Sequence, residues 1–150
     1  ILVNNAGAAW GADLGEFPEI GFDKVLDLNV KAPFMLTQAL LPQLTARATA
    51  EDPARVIMIG SIDGIRVPVG NNYSYSASKA GIHMMARHMA AHLVSKHITV
   101  NAIAPGPFES STPSGLRART SLAVVSAGTT VTWAPTWTSR RRMLRLMPKS

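Results

Sequence analysis

Three short apolar segments, each followed by turn-forming residues, most constrain what this chain can fold into. They read ILVNNAG from Ile1, VIMIGS from Val56 and ITVNAIAPG from Ile98. Residues 22–46 and 74–95, which lie between them, carry apolar residues at helical spacing. Continuously apolar strands that alternate with helices are typical of a parallel sheet with right-handed crossovers. The sequence therefore predicts an α/β fold with a parallel sheet.

Two prolines interrupt the first helical segment. Pro33 and Pro42 lie inside the pattern that runs from Phe22 to about Ala46. Because proline lacks an N–H and clashes with the preceding turn, we predict a helix that is kinked or divided near Asn29 to Pro33. A carbonyl freed near Asn29 would be a usable polar group, although a simple helix break explains the same pattern.

Composition excludes several classes of protein. The chain has no cysteine, which rules out disulfides, thiolate catalysis and cysteine-ligated metal sites. No apolar run approaches the roughly 20 residues that cross a bilayer, and the N-terminus lacks the basic region of a signal peptide. We therefore expect a cytoplasmic protein without a membrane partner.

The net charge of +6 comes from the C-terminal end of the chain. All nine acidic residues, but only eight of the fifteen Lys and Arg residues, lie at or before Glu109. The first 109 residues are therefore close to neutral, which argues against nucleic acid as a partner of the body of the protein.

A candidate catalytic group lies between the second strand and the long helix. Ser61 follows the strand, and Tyr75 and Lys79 are four residues apart at the start of the helix. Residues i and i+4 share a helix face, about 6 Å apart along the axis. A neighbouring ammonium favours ionisation of a phenol, which otherwise titrates near 10. We therefore expect Ser61 to orient a substrate oxygen, Tyr75 to transfer a proton and Lys79 to tune Tyr75.

Two members of this group also have a simpler interpretation, Lys79 as a solvated surface lysine and Ser61 as a polar strand terminus. Separately, the loop after the first strand would be an ordinary turn. Tyr73 is not an equivalent candidate, because a spacing of six places it on the opposite side of the helix from Lys79.

The histidines do not predict a metal site. His88 and His92 have the i, i+4 spacing of a zinc-binding helix, but Met89 replaces the glutamate that such a motif needs. We expect the four histidines (His83, His88, His92 and His97) to lie on the surface or at an interface.

Five motifs in order and register resemble the short-chain dehydrogenase/reductase family. They are NNAG at 4–7, Asn29, Gly60-Ser61, YSASKAG from Tyr75 and NAIAPG from Asn101. The resemblance covers Ile1 to about Phe108 and is closest to bacterial reductases of the 3-oxoacyl or rhamnolipid-biosynthesis type. It implies part of a Rossmann-type, doubly wound parallel sheet, here its central three strands and their helices. It also implies an oxidoreductase that uses NAD or NADP to interconvert a small-molecule carbonyl and alcohol.

The resemblance also implies individual roles. Asn29, Ser61, Tyr75 and Lys79 would form the catalytic tetrad, with Asn29 holding a water of the proton relay through its backbone. Lys79 would in addition bind the nicotinamide ribose. The implied cofactor-binding residues are Asn4, Ala6, Gly7, Tyr75, Lys79, Pro105 and Gly106. The full-length form would be a homo-oligomer, with Met84, Met85 and Met89 either as subunit contacts or as intramolecular core.

Both ends of the chain depart from the family pattern. The glycine-rich diphosphate loop would precede Ile1, so we expect weak cofactor affinity for this chain. We assign residues 1–109 to a partial domain and residues 110–150 to an atypical basic tail, irregular or disordered. This tail is interpreted as an out-of-frame translation, or as a true tail that binds nucleic acid or anionic surfaces. The alternative function is an inactive fragment that only associates, through its helices, its sheet edge or this tail.

Overall fold

The sheet has five strands in the order of the chain. A computed structural model describes residues 1–106 and the backbone of 122–125 and 131–134. Three parallel strands come first, β1 (Leu2–Asn4), β2 (Ala54–Ile59) and β3 (Ile98–Pro105). Two antiparallel strands, β4 (Leu122–Val125) and β5 (Val131–Ala134), extend the sheet beyond β3. The predicted parallel α/β sheet is confirmed.

The C-terminal segment was expected to be irregular. Its described residues form the short strands β4 and β5, with Ala102 opposite Val125 and Leu122 opposite Ala134. The remaining residues of 110–150 lie outside the described part of the chain. The interpretation of these residues as an out-of-frame translation therefore concerns residues that are not described.

The first helical segment is divided, as its prolines predict. It consists of α1 (Glu19–Leu26), a π-helical turn (Asp27–Lys31), α2 (Ala32–Ala39) and α3 (Leu41–Arg47). In the turn, the N–H of Ala32 donates to the carbonyl of Asp27, five residues back. Pro33 has no N–H to offer the carbonyl of Asn29, so an uninterrupted α-helical ladder cannot pass this point. The wide turn brings the buried Asn29 toward the end of the sheet.

One face of the sheet carries the core. Because β1, β2 and β3 are neighbours in chain order, right-handed crossovers place both helical connections on the same face. The long helix α4 (Tyr73–Leu93) packs there against β2 and β3. Core residues alternate along the strands with half-buried or exposed ones. The core on this face includes Val56, Met58, Val100, Ala102, Ile82, Ala86 and Ala90.

The face that α4 turns toward the sheet differs from the expected one. Hydrophobic periodicity predicts contacts through Ala77, Ala80, Gly81, Met84, Met85, Met89 and Leu93. The buried residues are instead Ser74, Ser78, Lys79, Ile82, His83, Ala86 and Ala90. Met84 is 59% exposed, whereas Met85, Met89 and Leu93 are partly buried against the core. The buried face combines the small residues Ser74, Ser78, Ala86 and Ala90 with Lys79, Ile82 and His83, so hydropathy alone does not select it.

Candidate functional site

A cleft of about 590 Å³ opens at the carboxyl ends of the parallel strands. This edge is where open α/β sheets bind their ligands. Six of the residues singled out in the sequence line the cleft, namely Gly7, Ser61, Tyr75, Lys79, Pro105 and Gly106. The structure therefore brings together residues that are up to 99 positions apart, from three loops and one helix.

Lys79 is buried between Tyr75 and the end of β2. Its Nζ lies 5.5 Å from the centroid of the Tyr75 ring and donates a 2.7 Å hydrogen bond to the carbonyl of Ile59. Only 5% of Lys79 is exposed, and burial lowers the pKa of its ammonium from the ordinary value. The interpretation of Lys79 as a solvated surface lysine is therefore wrong. An ammonium has three donors, and Ile59 accepts one of them.

Ser61 lies two residues after β2 and caps a short 3-10 turn at Ile62–Gly64. It is 7% exposed, and its Oγ accepts a 3.1 Å hydrogen bond from the N–H of Asp63. This bond uses a lone pair and leaves the hydroxyl hydrogen free for an acceptor in the cleft. The turn thus fixes the Ser61 side chain without using its donor.

Asn29 connects three parts of the site through its side chain. Its Oδ1 accepts a 2.7 Å bond from the N–H of Ala8, and its Nδ2 donates to the carbonyl of Ala8 at 2.8 Å. The same Nδ2 donates to Oγ of Ser78 at 2.9 Å, and Ser78 donates to the carbonyl of Tyr75 at 2.7 Å. This clamp holds the loop after β1 against the first turns of α4. The predicted backbone role of Asn29 remains a prediction beside it.

The loop after β1 approaches Lys79 at Gly7. A Cβ at Gly7 would lie 3.3 Å from Asn29 Oδ1 and 3.6 Å from Lys79 Nζ. The missing side chain thus keeps the space beside the ammonium open. A concave space next to a free ammonium donor suits the hydroxyls of a ribose, so these residues fit a nicotinamide cofactor.

Asn4 and Ala6 contribute differently from Gly7. Asn4 is 7% exposed, and its Nδ2 donates at 3.2 Å to both Thr37 Oγ1 and Met58 Sδ, in the layer between sheet and helices. Ala6 is exposed in the same loop. Neither lines the cleft, and their cofactor contacts remain predictions.

Sequence reasoning gave no role in the site to His83, Ser78 or Gly60, although Gly60 and Ser78 lie within the motifs named above. His83 is 3% exposed, so the expectation of a surface or interface position is wrong for this histidine. Its position follows from the four-residue spacing of Tyr75, Lys79 and His83, which places them on one face of α4. Ser78 is fully buried in the Asn29 clamp. Within the described residues, no group of three or more His, Cys, Asp or Glu side chains could hold a metal ion.

Comparisons with known proteins agree with this geometry. The sequence model of the family described as short chain dehydrogenase matches residues 1–121. A rhamnolipid-biosynthesis 3-oxoacyl-acyl-carrier-protein reductase of Pseudomonas aeruginosa is 52% identical over 110 residues, covering 73% of this chain and 43% of that protein. A 2-dehydro-3-deoxy-D-gluconate 5-dehydrogenase of Escherichia coli is 39% identical over 122 residues, covering 79% of this chain and 45% of that protein.

Solved structures give the same result. The Pseudomonas aeruginosa RhlG/NADP active-site complex superposes with a TM-score of 0.70 at 51% identity, covering 73% of this chain and 43% of that chain. A putative 2-deoxy-D-gluconate 3-dehydrogenase from Agrobacterium tumefaciens with bound NADP gives a TM-score of 0.66 at 38% identity, covering 77% and 46%.

The parallel α/β sheet, with a cleft at the carboxyl ends of its strands, is the Rossmann-type fold of these dehydrogenases. This chain belongs to the short-chain dehydrogenase family. It spans slightly less than half the length of the curated relatives named above.

Proposed function

We propose that this chain carries the catalytic centre of an NAD(P)(H)-dependent oxidoreductase that interconverts a carbonyl and an alcohol. The observation that carries the proposal is the convergence of Ser61, Tyr75 and Lys79 on one cleft, with the Lys79 ammonium 5.5 Å from the Tyr75 ring. A hydroxyl donor, a phenol and a buried cation are the groups that carbonyl reduction needs to hold and protonate an oxygen.

The three side chains have separate tasks in this mechanism. Ser61 donates its free hydroxyl hydrogen to the substrate oxygen and holds it toward the phenol. Tyr75 gives the oxygen a proton during reduction and takes it back during oxidation. Lys79 stabilises the phenolate that remains, because its positive charge is buried beside the ring.

A nicotinamide cofactor would supply or accept the hydride. Lys79 would hold its ribose with the donors that Ile59 does not use, and Gly7 leaves room for it there. Pro105 and Gly106 also line the cleft, and the nicotinamide ring would lie beside them. The solved neighbours named above include complexes with NADP, which supports NAD or NADP as the cofactor.

We further propose a 3-oxoacyl compound as the substrate of the whole protein. The support is the 52% identity to a 3-oxoacyl-acyl-carrier-protein reductase, against 39% to the gluconate dehydrogenase. A cytoplasmic, homo-oligomeric protein is proposed on the same family ground. No helix among the described residues is long and apolar enough to cross a membrane.

Turnover by matched tyrosine variants tests the catalytic proposal. This chain, and a longer form that carries a glycine-rich segment before Ile1, are assayed with NADH and NADPH on 3-oxoacyl thioesters and simple ketones. Tyr75→Phe removes the proton donor and should lower kcat about 100- to 10,000-fold. Tyr73→Phe is the control, because Tyr73 is 40% exposed and packs edge-on against Phe17 outside the cleft. Equal activity of the two variants would refute the role of Tyr75.

The alternative is an inactive fragment that only associates. It is favoured by the position of β1 at the edge of the described sheet, with Ile1 82% and Val3 51% exposed. Turnover by the 150-residue chain itself would exclude this alternative. If only the longer form shows turnover, the reaction belongs to the whole protein, and this chain is the inactive fragment of the alternative.

A further inference from the structure

Ile59 and Gly60, which lead from β2 to Ser61, are held by two successive turns of α4. Lys79 Nζ donates to the carbonyl of Ile59, and His83, one helical turn later, packs against Gly60. On its other side, the N–H of Gly60 donates a 2.7 Å bond to the carbonyl of Ile103 in β3. The two residues before Ser61 are therefore fixed from the helix and from the neighbouring strand.

The contact between His83 and Gly60 leaves no space for a side chain. A Cβ placed on Gly60 would overlap the His83 imidazole and would lie 3.1 Å from the carbonyl oxygen of Ile103. A different glycine on α4, Gly81, has only Val30 within 4 Å of the same position, at 3.8 Å. Gly60 is thus required by a close approach, whereas Gly81 has room for a methyl group.

The planar His83 imidazole makes this contact in its neutral form. Its Nε2 is buried and has no hydrogen-bond partner within the described residues. Burial, followed by the charges of Arg87 and Lys79, lowers the pKa of His83 to about 4. A charged imidazolium would point an unsatisfied N–H into this space, so the neutral ring suits it better.

We propose that His83 is a positioning residue that sets the place of Ser61 by packing against Gly60. The imidazole packs against Gly60 on the side of α4. On the side of β3, the carbonyl of Ile103 accepts a hydrogen bond from the N–H of Gly60. The Ser61 hydroxyl therefore enters the cleft at a fixed distance from Tyr75. This role rests on the proposed function, because it concerns the reaction of the same cleft.

A double-mutant cycle tests the contact. Gly60→Ala, His83→Ala and the double variant are compared with the parent protein, and Gly81→Ala is the control. We expect Gly60→Ala to lower kcat about 100-fold and His83→Ala about tenfold, each with a KM change below about threefold. The double variant should resemble His83→Ala, because removal of the ring makes room for the new methyl group. Gly81→Ala should retain parental activity.

The outcomes separate this role from a merely structural one. Losses that multiply in the double variant would show that the two residues do not act through one contact, and would overturn the proposal. A change in KM rather than kcat would do the same, because Ser61 acts on the reacting oxygen.

A readout without turnover separates this proposal from the proposed function. Amide hydrogen exchange should accelerate at Gly60, whose N–H is bonded to Ile103, in His83→Ala and remain slow at Val100 in the core. If no form of the protein reduces a carbonyl, the proposed function fails while this exchange pattern still tests the positioning. Unchanged exchange at Gly60 would overturn it.

Discussion

At the scale of single residues, the site holds two buried basic groups on one helix face. Lys79 and His83 are 5% and 3% exposed, and burial lowers the pKa of both. Removal from water disfavours the charged form of either group, and the charges of Arg87 and Lys79 act on His83 as well. Burial of His83 therefore makes the folded state sensitive to acid.

The pH dependence of stability tests this charge balance. The pKa of His83 is about 4 in the folded protein, whereas an unfolded histidine titrates near 6.5. Between these values the unfolded chain binds the proton more readily, so the folded state loses stability as the pH falls from about 6.5 to 4. The loss amounts to at most about 3 kcal/mol. The charged groups that act on the ring are Lys79 and Arg87 of α4, and the sheet presents Gly60 and Ile103 to it.

Urea unfolding between pH 7 and 4.5 measures this loss. His83→Leu should flatten the decline in the free energy of unfolding, because it removes the group that titrates. His88→Leu is the control, since His88 is exposed on the same helix. A decline that is equally steep in His83→Leu and in the parent would contradict the assignment.

The Asn29 clamp provides a second test at this scale. Asn29→Leu keeps the approximate volume but deletes three hydrogen bonds, and it leaves the N–H and carbonyl of Ala8 without their partner. We expect the free energy of unfolding to fall by about 3 kcal/mol, since a buried unpaired group costs about 1–3 kcal/mol. Asn71→Leu is the control, because Asn71 is exposed and its side chain bonds to exposed Asp13. Chemical denaturation of both variants measures the difference, and equal losses would show that the clamp contributes nothing.

At the scale of elements, the strands and the divided helix could be predicted, whereas the sheet-facing side of α4 could not. Apolar runs predict β2 and β3. Pro33 predicts the π-helical turn, because its missing N–H affects the helix only at the neighbouring residues. The face that α4 buries carries small residues such as Ser78 and Ala86 together with the polar Lys79 and His83. Hydrophobic periodicity counts apolar residues, so it does not find a buried face that is partly polar.

The same reasoning explains which part of the site could be predicted. Tyr75 and Lys79 follow from helical spacing, and Ser61 from its position at the end of a strand. His83 was missed because a polar residue on a helix is expected to face water, whereas here it packs on a glycine. The Asn29 side-chain bonds join residues 21 and 49 positions apart, and no local pattern records them.

Close approach also governs the turn that follows Ser61. A Cβ on Gly64 would overlap the α4 backbone at Lys79 and Ala80, whereas nothing lies within 4 Å of the same position on Gly70 in the following loop. Gly64→Ala should therefore push the turn away from α4 and lower the free energy of unfolding by about 1–3 kcal/mol. It should also lower kcat, since the turn carries Ser61. Gly70→Ala should change neither quantity, and a similar effect of both substitutions would refute the steric argument.

At the scale of the whole molecule, the described helices pack on one face of the sheet, and β1 forms an edge of that sheet. Leu2, Val3 and Asn4 pair with β2 on one side, and no strand pairs with their other side within the described residues. Val3 and Ile1, which are 51% and 82% exposed, add apolar surface there. Unpaired backbone groups beside apolar side chains are a template for pairing with another chain.

We therefore expect the 150-residue chain to self-associate through β1. Val3→Lys places a charge on this edge, which opposes pairing because a second strand would have to bury it. Sedimentation velocity over a range of concentrations should show a smaller associated fraction for Val3→Lys than for the parent. Val94→Lys adds the same charge at a site that is 68% exposed, just after α4 and away from β1, so it controls for net charge. If both substitutions reduce association equally, charge repulsion explains the effect and the β1 edge does not. If Val3→Lys alone yields a monomer, the association belongs to this edge, and cofactor and substrate assays can then be carried out on a chain that no longer aggregates.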